Sequence, residues 1–549
     1  PPHLCAEKKG GWGVSEPRAD SPSSRPGSVR DVAENPFAHK IRDALLALSI
    51  ANLCFISAWA PLLYSGSQGY YNKLRVAPVT LLALVANLAW LSLAVWVILR
   101  ASRRSHSRWL ALLSLFVFLA SLALPLDYCR LYVVGIRGDH IVAALKKPLV
   151  ASLVVAVCGI GLWQYRLAVL VSQFLATILS PLALLNLARV AFLCLGIQHL
   201  SPAGPDPVLP APCPVKAGAP RVAWIIFDEA DQRIAFEERP AQLRLPEFDR
   251  LSRESLFATN AFPPAGSTLV SMPALISGRP ISAAALKDSC ELNVTLAESG
   301  TVTGWSKLPS VFSAAHELGV NTALVGWYHP YNRILGSALN FCSFYPFPRY
   351  DLARAPTFGK AMAGQVLCCL YKRYYYQSRF ETLCRDSLAD SVSLVTNNLY
   401  GLLLLHLAPP HHPGVYNPKT GQYTIAFMNV ATGYFNNFAL ADRFLGTLRQ
   451  AMDTSGQSTN TWLLVSADHF WRETDLYDHR HSFRVPFLLK GPGADQPMTY
   501  SPRFNTLLTH DLILAILRKE ITNQPSASEW LDAHRSAFSV PTTYVHQVE

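Results

Sequence analysis

Charge is what this sequence has least of. Only 15% of its 549 residues are Asp, Glu, Lys or Arg, against about a quarter in an average globular domain. Half of the chain is hydrophobic, and the first two hundred residues hold nearly all the long apolar runs. That unevenness excludes a uniformly soluble enzyme, a fibrous repeat and a disordered chain. Acids are scarcer than bases, 37 against 48, which leaves a net charge of +11. A basic excess suits nucleic acid, but much of it lies in short segments beside apolar runs, where a membrane explains it better. No nucleic-acid partner is expected.

Five segments lack charge for about the 20 residues that a bilayer crossing takes. They are Ala44–Tyr64, Val76–Leu99, Trp109–Leu126, Pro148–Tyr165 and Leu167–Ala188. The fourth is the weakest, being short and holding Gly159 and Gly161. Arg100, Arg103, Arg104 and Arg108 lie between the second and third segments, and seven bases from Lys8 to Arg42 precede the first. The positive-inside rule puts both in the cytoplasm. Five crossings then put everything after residue 200 outside, on the periplasmic or extracellular face of an inner or plasma membrane. Arg130, Arg137, Lys146 and Lys147 vote the other way, diluted over a longer connection. The chain opens Pro1-Pro2 with no Met, and residues 1–36, rich in Pro, Ser and Gly, read as a disordered cytoplasmic tail. The anchor is thus expected over residues 37–199.

Residues 200–220 form a linker, with seven prolines in Ser201–Pro220, extended by composition. Beyond it, short apolar runs of strand length recur at Val222–Phe227, Thr322–Gly326, Tyr423–Phe427 and Thr461–Val465. Helical patterns lie between them at Leu308–Leu318 and Asn437–Met452. Buried strands alternating with helices predict an α/β domain over residues 221–549 with a largely parallel sheet. Five cysteines here, Cys290, Cys342, Cys368, Cys369 and Cys384, sit where disulfides are permitted.

Ligands of such sheets bind at the carboxyl ends of strands, and polar clusters stand there. Asp228-Glu229 closes the first run and Asp468-His469 the last. Two carboxylates and an imidazole at neighbouring strand ends make an N/O site for a divalent cation, although either pair alone is more often a helix cap or a surface turn. The third element is Ala265-Gly-Ser-Thr-Leu-Val-Ser-Met-Pro-Ala-Leu-Ile-Ser-Gly-Arg279, a small-residue loop entering a helical turn. A hydroxyl at such a helix start sits at the positive end of the dipole, favourable for an anion.

With these motifs the domain resembles the alkaline-phosphatase/sulfatase superfamily. Together with five spans it is similar to the membrane phosphoethanolamine transferases and lipoteichoic-acid synthases. The resemblance runs over about Val222–Gly493. Counting back from Leu275-Ile-Ser277-Gly278-Arg279 puts Thr268 at the nucleophile position, with Ser271 and Pro273 matching the transferase pattern. Leu245–Leu251 resembles the first helix after the metal strand. Val325-Gly-Trp-Tyr-His329 resembles a sulfatase element, with Trp327 where a lysine is usual. His406-Leu-Ala-Pro-Pro-His411 is similar to a substrate-side histidine segment. Ser466-Ala-Asp-His469 resembles the metal motif, and the family's later histidine has two nearby candidates, His479 and His481.

The resemblance implies a divalent metal held by Asp228, Glu229, Thr268, Asp468 and His469. Zinc is the expected ion, with calcium or manganese as alternatives. It also implies Thr268 as nucleophile, with His411 and His329 binding phosphate or protonating the leaving alcohol. The expected reaction moves a phospho-head group, phosphoethanolamine first, from a phospholipid to a lipid or glycan acceptor through a phospho-threonine. Hydrolysis of the same bond, a sulfatase and a non-catalytic family member are the competing readings. A sulfatase needs Cys or Ser, convertible to formylglycine, where this chain has Thr268. Trp327, Tyr328, Tyr331 and Trp471 are candidates for lining a sheltered pocket, or for core packing.

Overall fold

A computed structural model describes residues 36–544 apart from 65–69, 72–75, 106, 133, 135, 137–140, 142–143, 196–206, 216–217, 349–351, 353–356 and 494–495. The tail expected over residues 1–36 lies outside the described residues but for Pro36.

Seven described helices make up the N-terminal part: Pro36–Cys54, Ile56–Leu63, Pro78–Arg104, Arg108–Tyr132, Pro148–Trp163, Tyr165–Ile178 and Ser180–Cys194. Among the described residues two stretches, Pro78–Ser102 and Leu112–Leu131, are long and apolar enough to cross a membrane, or up to four if each of two bent pairs is one span. The first apolar run breaks by 78° between Lys40–Cys54 and Ile56–Leu63. Trp59 Nε1 donates to the Asn52 carbonyl at 2.6 Å, and Pro61 lies inside the second helix. Side-chain capture of a ladder carbonyl and a missing proline N–H both bend helices. The fifth run bends by 40° at Leu179, beside Pro181 at the start of the next helix. The fourth, Pro148–Trp163, has 16 residues and rises only about 24 Å.

The second part is built on an eight-stranded sheet. Its strands in chain order are β1 (Arg221–Phe227), β2 (Leu256–Ala258), β3 (Thr322–Trp327), β4 (Phe341–Tyr345), β5 (Leu402–Leu407), β6 (Thr461–Ser466), β7 (Phe487–Lys490) and β8 (Met498–Tyr500). The spatial order is β8-β2-β7-β6-β1-β5-β3-β4. Only β7 runs against its neighbours; every other pairing is parallel. Every residue of β1, β3, β5 and β6 is buried, as parallel strands covered on both faces require. The strand expected at Tyr423–Phe427 is not in this sheet. Leu402–Leu407 takes the place beside β1, while Phe427 is 80% exposed under the Arg373 guanidinium. A run of four leucines buries more apolar surface than an alternating one, and it wins the central position.

The two parts dock through the apolar helix Phe358–Leu370, whose contacts lie with Pro78–Arg104 and Ile56–Leu63. Buried Gln365 donates to the Thr80 carbonyl at 2.9 Å and accepts from Asn87 Nδ2 at 2.9 Å. Lys372 meets Asp127 at 2.7 Å. Cys368 and Cys369 pack here against the N-terminal helices, and all described cysteines are free thiols. Gln365→Leu strips the Asn87 amide of its side-chain acceptor and the Thr80 carbonyl of its donor. The cost is on the order of 1–3 kcal/mol, read as a lower melting temperature of the full chain in detergent; an unchanged value would remove Gln365 from the docking account.

Candidate active site

The parallel register sets Ile226 level with Ser466 on one side and His406 on the other. Two residues past Ile226 and Ser466 come Asp228 and Asp468, so both carboxylates leave neighbouring strand ends together. Both are fully buried. Glu229 turns the chain away with a left-handed φ of 63°, which costs a non-glycine residue about 1 kcal/mol or more. In return its N–H donates to Asp468 Oδ1 at 3.3 Å, and the His469 N–H donates to the same oxygen at 2.8 Å. That fixes the carboxylate and turns Oδ2 toward Thr268.

Thr268 is the first residue of the helix Thr268–Ser277. Its Oγ lies 2.8 Å from Asp468 Oδ2, 3.3 Å from Asp228 Oδ2 and 3.2 Å from His469 Nε2. His469 Nδ1 is 2.9 Å from the Phe470 carbonyl. A carbonyl only accepts, so Nδ1 carries a proton, and in the neutral ring the Nε2 lone pair then faces the cluster. Asp228, Asp468 and His469 each present one ligand atom, all within 4.8 Å of one another. Burying two carboxylates costs several kcal/mol each unless they are compensated. This donor set fits a divalent cation, with Thr268 Oγ as a further oxygen ligand.

The remaining candidates fall elsewhere. Glu229 points into a second group with His411 and His412 and pairs with Arg472 at 3.0 Å, so its carboxylate is not with the other ligands. Burial pushes that carboxyl up, but His411, Arg472, His469 and His412 outweigh it and hold it well below the usual range. His411 Nδ1 is tied to the His412 carbonyl at 2.6 Å. Neither later histidine reaches the site. His479 is 80% exposed beside Asp475, and His481 is held by Thr474 and Asp475.

The structure adds His406. Among the described residues its Nε2 has no hydrogen-bond partner, and it sits 3.9 Å from both Asp228 Oδ2 and Asp468 Oδ2. Burial holds this imidazole well below its ordinary pKa, so it is neutral. Tyr331 Oη fixes Nδ1 at 2.7 Å. A Cβ on Gly326 would come within 2.6 Å of the Tyr331 ring, so this strand position requires glycine. His329 is equally buried, but it touches the main chain of the nucleophile: Nε2 lies 3.0 Å from the Thr268 carbonyl. Trp327, Tyr328, Tyr331 and Trp471 are all buried in the core; the Trp327 ring lies 5.1 Å from that of His411, and Trp471 stacks flat on Tyr434 at 4.1 Å.

Residues 220–518, just over half of the chain, match the sulfatase family, and the chain belongs to that family, within the alkaline phosphatase/sulfatase superfamily. No curated protein matches it. Similar solved structures include the lipoteichoic acid synthase LtaP from Listeria monocytogenes, at 13% identity over 55% of this chain and 72% of that one, TM-score 0.36. The phosphonate monoester hydrolase of Agrobacterium radiobacter is 13% identical over 55% and 74%, TM-score 0.39. The PsFucS1 sulfatase from Pseudoalteromonas sp. is 13% identical over 58% and 76%, TM-score 0.39. Superfamily members are hydrolases or transferases that use a divalent metal, which supports an enzyme here.

Asp468→Asn and His469→Ala are each expected to lower the bound-metal content of the purified protein, measured by elemental analysis after exposure to zinc, calcium or manganese. Full occupancy in both variants would remove the site from these residues.

Proposed function

We propose that this chain is a membrane-anchored transferase that moves a phospho-head group, phosphoethanolamine first, from a phospholipid to a lipid or glycan acceptor. The observation that carries the reading is Thr268 Oγ placed 2.8 Å from Asp468 Oδ2 among the candidate metal ligands. A threonine β-carbon bears a methyl group, so its oxidation yields a ketone and never the formylglycine aldehyde of a sulfatase. A hydroxyl nucleophile suits phosphorus, where it forms a stable ester.

In this mechanism Thr268 Oγ attacks the phosphorus and its proton passes to Asp468 Oδ2. The bond from phosphorus to the lipid alcohol breaks, and His411 Nε2 gives that oxygen a proton. Glu229 and Arg472 set the charge around His411, with the anionic Glu229 stabilising the imidazolium form. The phospho-threonine then receives the acceptor hydroxyl by the reverse steps. A divalent ion bound at Asp228, Asp468, His469 and Thr268 supplies a lowered pKa for the hydroxyl and offsets phosphoryl charge; zinc is the first expectation.

The anchor is read as five spans of helical segments whose large apolar side chains face outward, Trp109 and Leu149 more than 80% exposed, as lipid allows and water does not. Helix Phe358–Leu370 meets Ser57 and Thr80, on either side of the connection between the first two spans. Asp127 near the far end of the third span meets Lys372. That supports a catalytic domain on the face opposite the arginine-rich loop, periplasmic or extracellular.

Two measurements test the proposal. Thr268→Ala is expected to abolish transfer of a labelled head group from phospholipid in membranes, while loss of a helix-start hydroxyl costs only about 1 kcal/mol of stability. Label released solely as water-soluble phospho-head group, under every acceptor tried, would make the enzyme a phosphodiesterase. Separately, accessibility tags near Pro36 and Tyr544 are expected on opposite sides of the membrane; both on one side would overturn the topology.

A further inference from the structure

Tyr70 and Tyr71 belong to the connection between the first two apolar runs, yet both sit in the hydrophobic core of the sheet domain. Tyr70 is fully buried. Its hydroxyl lies 2.6 Å from His329 Nδ1, and the other ring nitrogen, Nε2, lies 3.0 Å from the Thr268 carbonyl. A carbonyl only accepts, so Nε2 carries the proton. In the neutral ring Nδ1 is then a lone pair, and the Tyr70 hydroxyl is the donor. Each proton in this chain of bonds has one assignable place. Tyr71 donates to the Tyr328 hydroxyl at 3.1 Å, and Tyr328 is held at a left-handed φ of 72° directly before His329. The Arg333 guanidinium takes the Tyr70 carbonyl at 3.3 Å and the Ser289 carbonyl at 2.8 Å. The Trp305 ring packs against His329 with centroids 5.0 Å apart.

We infer that Tyr70 is a positioning residue of the active site: a side chain from the N-terminal helical region sets the tautomer and tilt of His329, and through it the main chain that aims Thr268. The inference rests on the proposed role of Thr268 as nucleophile, and it makes the site complete only when the two parts of the chain are docked. His329 touches the nucleophile's backbone, so its part is orientation and not proton transfer to a leaving group. Misplacing a nucleophile by a fraction of an ångström lowers the turnover number while leaving ground-state binding alone.

The test uses the full chain in detergent micelles with zinc, and bis(4-nitrophenyl) phosphate as a generic phosphodiester. Wild type against Thr268→Ala first decides the nucleophile. Tyr70→Phe keeps the ring and removes only the hydroxyl. It is expected to lower kcat on the order of tenfold with KM and metal content unchanged, and to lower the melting temperature slightly, because the buried His329 Nδ1 loses its donor. Combined with His329→Gln, it is expected to cause no further loss beyond His329→Gln alone, because the two act on one chain of bonds. The second readout is independent of turnover: the ring-nitrogen 15N signals of His329, assigned by their disappearance in His329→Gln, shift at Nδ1 in Tyr70→Phe. If wild type releases not even one equivalent of 4-nitrophenol per enzyme, formation of the phospho-threonine fails while the Nδ1 shift still decides the contact. An unchanged kcat, losses that multiply in the double variant, or identical His329 signals would each overturn the role given to Tyr70.

Discussion

The pairing of β1 with β6 is the constraint on which the site depends. Parallel strands in register bring equivalent positions level, so Asp228 and Asp468, each two residues beyond the Ile226–Ser466 pair, must emerge together. Two carboxylates so close repel one another, and in a fully buried setting that repulsion is barely screened. The sheet can force them together because its central strands bury every residue. Shifting either strand by one residue would exchange its faces and separate the carboxylates. Their closeness is therefore held by hydrophobic burial along the strands, with main-chain N–H groups and Thr268 gathered around it.

The next layer explains why the cluster is so enclosed. Thr268 is 1% exposed, and His469, His406 and His329 are fully buried. Tyr70 closes one side through His329. On another side Tyr544 packs on Gly266 and on the rings of Phe470 and Phe483, and its hydroxyl reaches the Pro263 carbonyl. Under the proposed transfer, a cover of this kind would keep water from a phosphorylated threonine until the acceptor arrives. It also implies that substrate meets Thr268 only once part of that cover has moved.

Much of this was legible in the sequence, for a definite reason. Asp228 follows directly on an apolar run, Asp468 and His469 stand just beyond another, and Thr268 sits where a small-residue loop becomes a helix. Local pattern identifies such positions. His406 was noted only as the start of a histidine segment whose other end, His411, took the catalytic role; the pairing with β1 reveals that His406 faces the carboxylates. Glu229 looked equivalent to Asp228, but its left-handed φ sends the carboxylate to Arg472. His479 and His481 were near in sequence to the β7 strand and yet fall to the surface around Asp475. Apolar runs were found as runs, whereas their bends at Phe55 and Leu179 come from single side chains that hydropathy averages away. Tyr70 was invisible, since its partner lies 259 positions along the chain.

The N-terminal helices are joined by buried polar contacts as well as by apolar packing, and that bears on how the two parts cooperate. Asn186 donates to Asn52 Oδ1 at 2.9 Å and accepts from Tyr64 at 2.8 Å, while Arg189 donates to the Leu63 carbonyl at 2.6 Å. The docking helix repeats the pattern with Gln365, Asn87 and Thr80. In an apolar surrounding, hydrophobic burial cannot discriminate between helix partners, so directional bonds between buried polar groups decide the arrangement. Three of these partners, Leu63, Tyr64 and Thr80, stand at the facing ends of Ile56–Leu63 and Pro78–Arg104, the two elements that flank Tyr70. The geometry delivered to His329 is thus fixed by hydrogen-bonded contacts at the boundary between the parts. In the sheet domain the same alignment is fixed by strand register, and Thr268 stands where the two constraints meet.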